Sequence, residues 1–291
     1  MNDTLNPPPS PTRVAYATGR MLGVEDFQAE QDYHRGRLAR TLLQLYGTGT
    51  VTGLLVQTDG NTDATKLEIQ VTPGMAIDRV GRVIEVPRMV CIVLNDWLTQ
   101  YVQAWQSQQR GNAPGTPLVQ DPNQAIHDGQ NLTVDVFATF VPCTRGLTPC
   151  FAAQDDYDAT DAFAPNRLLD SFAMQLVLRT DAAPKTPLDP WAGLGAQQPA
   201  LAALRQSLLA GPLGPSGTPT EYPPNFDQTA VFLARILVPA TAGTTGNPPT
   251  WNLIGLAANK GSANIDNLSR LFVIPASVVS RWNGLGSGTE S

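Results

Sequence analysis

Charge is what this sequence has least of. Asp, Glu, Lys and Arg make up 15% of its 291 residues, against about 25% in an ordinary soluble chain. Uncharged surface is easier to desolvate in a permanent interface, so the shortage hints at an assembly component. Lys is scarce, no Lys/Arg run occurs, and the net charge is −6. Nothing here neutralises a phosphate backbone, which excludes nucleic acid as an expected partner. Three cysteines, Cys91, Cys143 and Cys150, cannot all pair within one chain. That count argues against a disulfide framework, and a reducing compartment fits best. No run of 18 or more apolar residues occurs, so no helical membrane span is expected. The first residues, "MNDTLNPPPSPTRVAYATGR", lack an apolar h-region and do not read as a signal peptide.

Chemistry-bearing patterns are missing as well. There are two histidines, His34 inside a helical pattern and His127 in a polar loop, and neither sits in a triad motif. "CTRGLTPC" spaces Cys143 and Cys150 too widely for a structural zinc pair, and no second pair follows. "DDYDATDAF" offers Asp155, Asp156, Asp158 and Asp161 without the glycine and terminal glutamate of a calcium loop. A phosphate-cradling glycine loop is absent. Asn131 opens an N-x-T sequon, but within a strand pattern of an apparently non-secreted chain. The sequence therefore predicts no catalytic residue, no metal and no cofactor, and a protein that is not an enzyme.

What is present is periodicity. Residues 1–19 form a Pro-rich arm suited to extended backbone. Val24 to Tyr46 reads as a helix, with Phe27, Gln31, His34, Leu38, Leu42 and Leu45 on one stripe. Glu25 and Asp26 lie in its first turn, Arg35, Arg37 and Arg40 lie later, and Gly47 is the expected stop. The aliphatic C-terminal half of the stripe is expected to dock on a sheet. The N-terminal half, with Phe27, Gln31 and His34, is the candidate interface.

After Gly47 the period changes to two. "GLLVQT" and "KLEIQVT" flank a turn and predict a hairpin, with Leu67, Ile69 and Val71 on one face. Gly74 and Gly81 are expected to permit positive φ at two turns before a strand restarts at Val83. "NDWLTQYVQAWQ" predicts a second helix whose Trp97, Tyr101 and Trp105 pack into the core. Leu132, Val134, Val136, Ala138 and Phe140 align in one strand, and Phe172, Met174, Leu176 and Leu178 in another. Residues 181–228 read as a Pro/Gly/Ala-rich excursion with one short helix near Leu201, Leu204 and Leu208. "TAVFLARILVPA", "TWNLIGLA" and "NLSRLFVIP" are three further strand candidates. Gly and Pro together fill 50 of 291 positions, which suits many turns between strands. The expected architecture is a mainly β, α+β fold: an antiparallel β-sandwich or barrel-like module with a long N-terminal helix packed on it. Its parts are an arm (1–19), helix plus β module (20–180), the excursion (181–228), and closing strands with a tail (229–291).

One series of motifs carries a resemblance. "GRMLGVEDFQAEQDYHRGRLARTLL", "GTVTGLLV", "VTPGMAIDRVGRVIEVP", "APNRLLDSFAMQLVLR", "VFLARILV" and "IDNLSRLFV" occur in that order along most of the chain. The series resembles a broad group of phage-tail and contractile-injection baseplate proteins. It is more distantly similar to the front end of the fibre-binding baseplate subunit of type VI secretion systems. In "GTVTGLLV" the run Thr50-Val51-Thr52 departs from the group's usual pattern and leaves the register of that strand open.

The resemblance implies a structural subunit that anchors fibres or spikes to a tail baseplate through protein–protein assembly. It implies baseplate, fibre or spike subunits as partners, a homo-oligomer such as a trimer, and a place in a virion tail or injection particle assembled in the bacterial cytoplasm. A second reading is a β-sandwich that binds carbohydrate or another cell-surface ligand. Trp97, Trp105, Trp191, Trp251 and Trp282 support it to the extent that they are exposed in one groove. A hydrolase with a spatially assembled site is third.

Overall fold

The structure, a computed structural model, describes residues 12–61, 63, 65–109, 119–126, 131–149, 163–181, 183–188, 219–243, 251–254 and 264–275. Helix α1 (Val24–Tyr46) has the bounds that its periodicity predicts. The Asp26 carboxylate accepts the Gly23 N–H at 3.0 Å, which satisfies one of the free amides at the helix start. At the other end Gly47 takes φ 75 and donates its N–H to the Leu43 carbonyl at 2.9 Å, a left-handed stop that glycine adopts at little cost.

Two small antiparallel sheets follow. β1 (Gly49–Gly53), β4 (Gly74–Ile77) and β5 (Val83–Val86) form one; β2 (Val56–Thr58), β3 (Glu68–Val71) and β6 (Val90–Val93) form the other. The predicted hairpin is β2 with β3, in the register Val56 to Val71, and it buries Leu67, Ile69 and Val71 completely. The open register at Thr50-Val51-Thr52 resolves as an irregularity: β1 shifts against β4 between Thr50 and Thr52. Gly81 has the expected positive φ, 91. Gly74 does not. It is needed for a close approach instead, because a Cβ there would lie 2.3 Å from the Thr52 carbonyl oxygen.

Helix α2 (Leu94–Gln109) then leads toward the large sheet. Trp105 is buried, and Trp97 and Tyr101 are half-buried against the core. The Trp97 indole donates to the Leu176 carbonyl at 3.2 Å. The large sheet contains β7 (Asn131–Pro149), β8 (Phe163–Leu178), β9 (Val231–Ala242) and β10 (Trp251–Leu253), in the order β10-β9-β7-β8. β11 (Ile265–Asp266) pairs with β9. Every strand pairing is antiparallel.

The two sequence stripes meet across one ladder: Val134 faces Leu178, Val136 faces Leu176, Ala138 faces Met174 and Phe140 faces Phe172. That face forms one core with Leu54, Val56, Ile69, Ile84 and Val86 of the small sheets. β9 keeps its own apolar face inward through a bulge at Leu233, where the pairing steps from Val136–Ala234 to Phe137–Phe232. The opposite face is buried too. Phe137, Val177, Ala230 and Phe232 form a second cluster, covered by Tyr222 and Phe226. Part of the expected excursion, residues 219–228, therefore packs on the sheet. The short helix expected near Leu201 lies outside the described residues.

Two further expectations need correction. "NLSRLFVIP" forms no strand beyond a single bridge of Phe272 with Thr50. Its side chains satisfy the neighbouring backbone instead. Asn267 pairs with both the N–H and the carbonyl of Val56, at 3.0 and 2.8 Å. Buried Arg270 donates to the Leu54 carbonyl at 2.7 Å. Burial holds the Arg270 guanidinium down to about 10, against the pull of Asp266. The other correction concerns α1. Leu38, Leu42 and Leu45 do not dock on a sheet: Leu38 is 60% and Leu45 69% exposed, and Leu42 is half-buried.

Candidate functional site: the outward face of helix α1

Helix α1 is mounted by its small residues. Only Gly36 and Ala39 are buried along its 23 residues. Ala39 lies against the turn between β4 and β5, where a Cβ on Gly81 would fall 2.0 Å from the Ala39 carbonyl oxygen. Glycine is the one residue that fits both this contact and φ 91. The turn is itself rigid. Asp78, fully buried, accepts the backbone N–H groups of Val80 and Arg82 at 2.9 and 2.8 Å and the Arg82 side chain at 2.5 Å. Arg82 reaches on to the Thr229 hydroxyl at 2.8 Å and lies over the Phe140 ring. Among the described residues, the buried contact of the helix at Ala39 is thus with a turn that is tied to Thr229 and Phe140.

With Gly36 and Ala39 facing inward, the predicted stripe faces out. Side chains separated by 3.6 residues share a side, which places His34 and Leu38 about half a turn away from Gly36. Phe27 is 51% exposed, and Gln31 and His34 are exposed. The three candidate interface residues thus share one open face with Leu38 and Leu45. Its edges are polar and ordered. Glu30 accepts a hydrogen bond from the Tyr16 hydroxyl and lies 3.9 Å from His34. Arg37 sits over the Tyr33 ring and, by hydrogen bonding to it, pulls the phenol down from its ordinary value. Arg20 pairs with Asp26 at 3.3 Å. This surface can bind another surface.

Among the described residues, a dense titratable cluster lies elsewhere, on the far face of the large sheet. Asp135, fully buried, accepts from Arg179 at 2.8 Å and from two nitrogens of Arg235 at 2.7 and 2.9 Å. Burial pushes the Asp135 carboxyl up, and the two guanidiniums oppose that shift. Arg179 also grips Asp181 at 2.8 Å and the Glu221 backbone carbonyl; Arg235 reaches the carbonyls of Pro184 and Lys185 at 2.6 and 3.0 Å. These bonds staple residues 181–185 and 221 to the sheet. Nothing in the sequence pairs residues so far apart; the only signal is an aspartate inside the apolar run "TVDVF". Glu221 is 2% exposed, binds Arg79, and leaves one carboxylate oxygen without a protein partner. Glu221 lines a small open pocket together with Thr48, Tyr222 and Phe232. The network ties residues 181–185 and 221 to the large sheet.

Several sequence candidates can now be placed. Cys91 and Cys143 are exposed free thiols. Cys150, His127 and the Asp155–Asp161 cluster lie outside the described residues. Among the described residues no group of three or more His, Cys, Asp or Glu could hold a metal ion. Trp97, Trp105 and Trp251 are buried or half-buried against the core, so they form no exposed sugar-stacking groove. Trp191 and Trp282 lie outside the described residues.

No family model matches the chain, and no curated protein matches it. A solved structure titled "Crystal structure of TssK" is similar over 84% of this chain, with 13% sequence identity and a TM-score of 0.32. The matched region is 41% of that protein's chain, so this chain spans well under half its length.

Proposed function

We propose that this chain is a structural subunit of a phage tail or phage-tail-like contractile injection particle, a baseplate or fibre-attachment component that works by protein–protein assembly. One observation carries the reading: a 23-residue helix leaves its apolar stripe in solvent while its opposite side is fixed to a rigid turn. A soluble monomer gains nothing from exposing Phe27, Leu38 and Leu45 in one row; a subunit gains an interface. The ordered motif series from Gly19 onward supports the tail-baseplate setting, and the low charge content fits a surface made for permanent contacts. The partners in this reading are baseplate, fibre or spike subunits, together with further copies of the chain. It needs no cofactor and no catalytic group.

The test is co-expression of the full chain with the products of the genes that flank its own. The expected result is recovery of the chain in tail-like particles seen by electron microscopy. A Phe27→Ala/Gln31→Lys double variant should keep the wild-type circular dichroism spectrum and drop out of those particles. A variant that unfolds makes the stripe ordinary core. A folded variant that is incorporated normally removes the helix face from the interface.

A further inference from the structure

The outward side of α1 has a repeat of seven. Val24, Gln31, Leu38 and Leu45 recur at that spacing, and Phe27, His34 and Thr41 fill the alternate places. This alternation of three and four is the seam of a coiled coil. All seven positions are exposed, from the first residue of the helix to its last turn. Gly36, one of the two buried residues, stands on the side away from the seam. The chain thus presents a complete seam and has no second helix against it among the described residues.

Charge along the helix is segregated. Glu25, Asp26, Glu30 and Asp32 fall in the first half; Arg35, Arg37 and Arg40 fall in the second. A parallel bundle of two or three such helices lays acidic half beside acidic half and basic beside basic. An antiparallel pair reverses both, and the helix dipoles oppose as well. We propose that two copies of the chain pair through α1, antiparallel about a two-fold axis.

The seam has a register that suits this. Phe27 of one copy stands opposite Leu38 of the other, and Gln31 stands opposite His34. Phe27 and Leu38 meet as apolar partners, Gln31 and His34 meet as hydrogen-bonding partners, and Thr41 meets Val24 at the two ends of the overlap. Symmetry makes both contacts occur twice. The overlap runs from Val24 to Thr41, about 27 Å at 1.5 Å per residue. The flanking contacts, Tyr16 on Glu30 and Arg37 over Tyr33, hold charges beside the seam without filling it. A three-fold arrangement, if the particle has one, would be built on another surface.

The pairing deepens the assembly reading, because it uses the same face and names its occupant. Two measurements test it on the full chain. Sedimentation at micromolar concentration is expected to give twice the 31.1 kDa chain mass. Leu38→Glu should give the single-chain mass with an unchanged circular dichroism spectrum. Orientation is read by disulfide trapping, with Cys91, Cys143 and Cys150 changed to Ser. A Phe27→Cys chain and a size-tagged Leu38→Cys chain are mixed and oxidised. The expected product is the mixed dimer, in clear excess over either self-linked form. Predominant self-linking means parallel helices and overturns the proposal. A wild-type chain that stays monomeric also overturns it; if that monomer still enters tail-like particles, the assembly reading survives and the partner is a different subunit.

Discussion

Strand β7 and helix α1 are the two longest elements among the described residues, and both have a clear apolar period. They end in opposite surroundings. β7 is covered on both sides over Leu132–Phe140: the core lies under Val134 and Val136, and the second aromatic cluster lies over Phe137. α1 buries two small residues and leaves Phe27, Leu38 and Leu45 in solvent. The physical signal is the same in both. An apolar stripe states that a face is to be covered, and it does not state which molecule covers it. In β7 the chain answers its own stripe. In α1 we propose that a neighbour does.

The contrast breaks hardest at Asp135. Asp135→Ala leaves buried Arg179 and half-buried Arg235 without their shared carboxylate, and removing one member of a buried ion cluster costs about 3–5 kcal/mol. Chemical denaturation followed by circular dichroism should show that loss. A change under about 1 kcal/mol would mean that the staple across the far face contributes little.

Gly81→Ala attacks the helix mount. The new methyl meets the Ala39 main-chain oxygen and forces a non-glycine residue to φ 91, so a cost of about 1–3 kcal/mol is expected in the same experiment. Adding Ala39→Gly should give no rescue, because the clash is with backbone. Recovery in the double variant would show that the helix is held by side-chain packing instead.

The smallest effect is at Asp266. Burial works against its charge, but hydrogen bonds from the Ser269 hydroxyl and the Ser269 and Leu268 amides outweigh it and hold the carboxyl below its ordinary value. A lowered folded value adds stability that is present at neutral pH and lost as pH falls through it. Asp266→Asn should therefore be less stable than wild type at pH 7, by under about 1 kcal/mol. The gap should close below about pH 4. A gap that widens in acid would contradict the assignment.

Legibility in the sequence follows the same division. The ends of α1 could be read because cap chemistry and period agree at Val24 and Gly47. The inward faces of β7 and β8 could be read because a period of two leaves one choice of side. The far face of β7 could not. Thr133, Asp135 and Thr139 alternate as if solvated, yet all are buried, because "EYPPNFD" and the arginines of distant strands cover them. Pairings such as Asp135 with Arg235 are fixed by sheet order, which no local window contains. Phe27, Gln31 and His34 share a stripe in the sequence and are exposed together in the structure. For Leu38, Leu42 and Leu45 aliphatic content points to inward docking, whereas Gly36 and Ala39 supply the close contact.

The central claim is that the α1 stripe is covered by a neighbour while the β7 faces are covered within the chain. Hydroxyl-radical footprinting, read residue by residue on dilute chain and on the assembled particle, tests it directly. The account predicts that Phe27 and Leu38 react in dilute chain and become protected on assembly, while Phe137 and Phe232 stay unreactive in both. Equal reactivity of the two helix residues in the two states would contradict it.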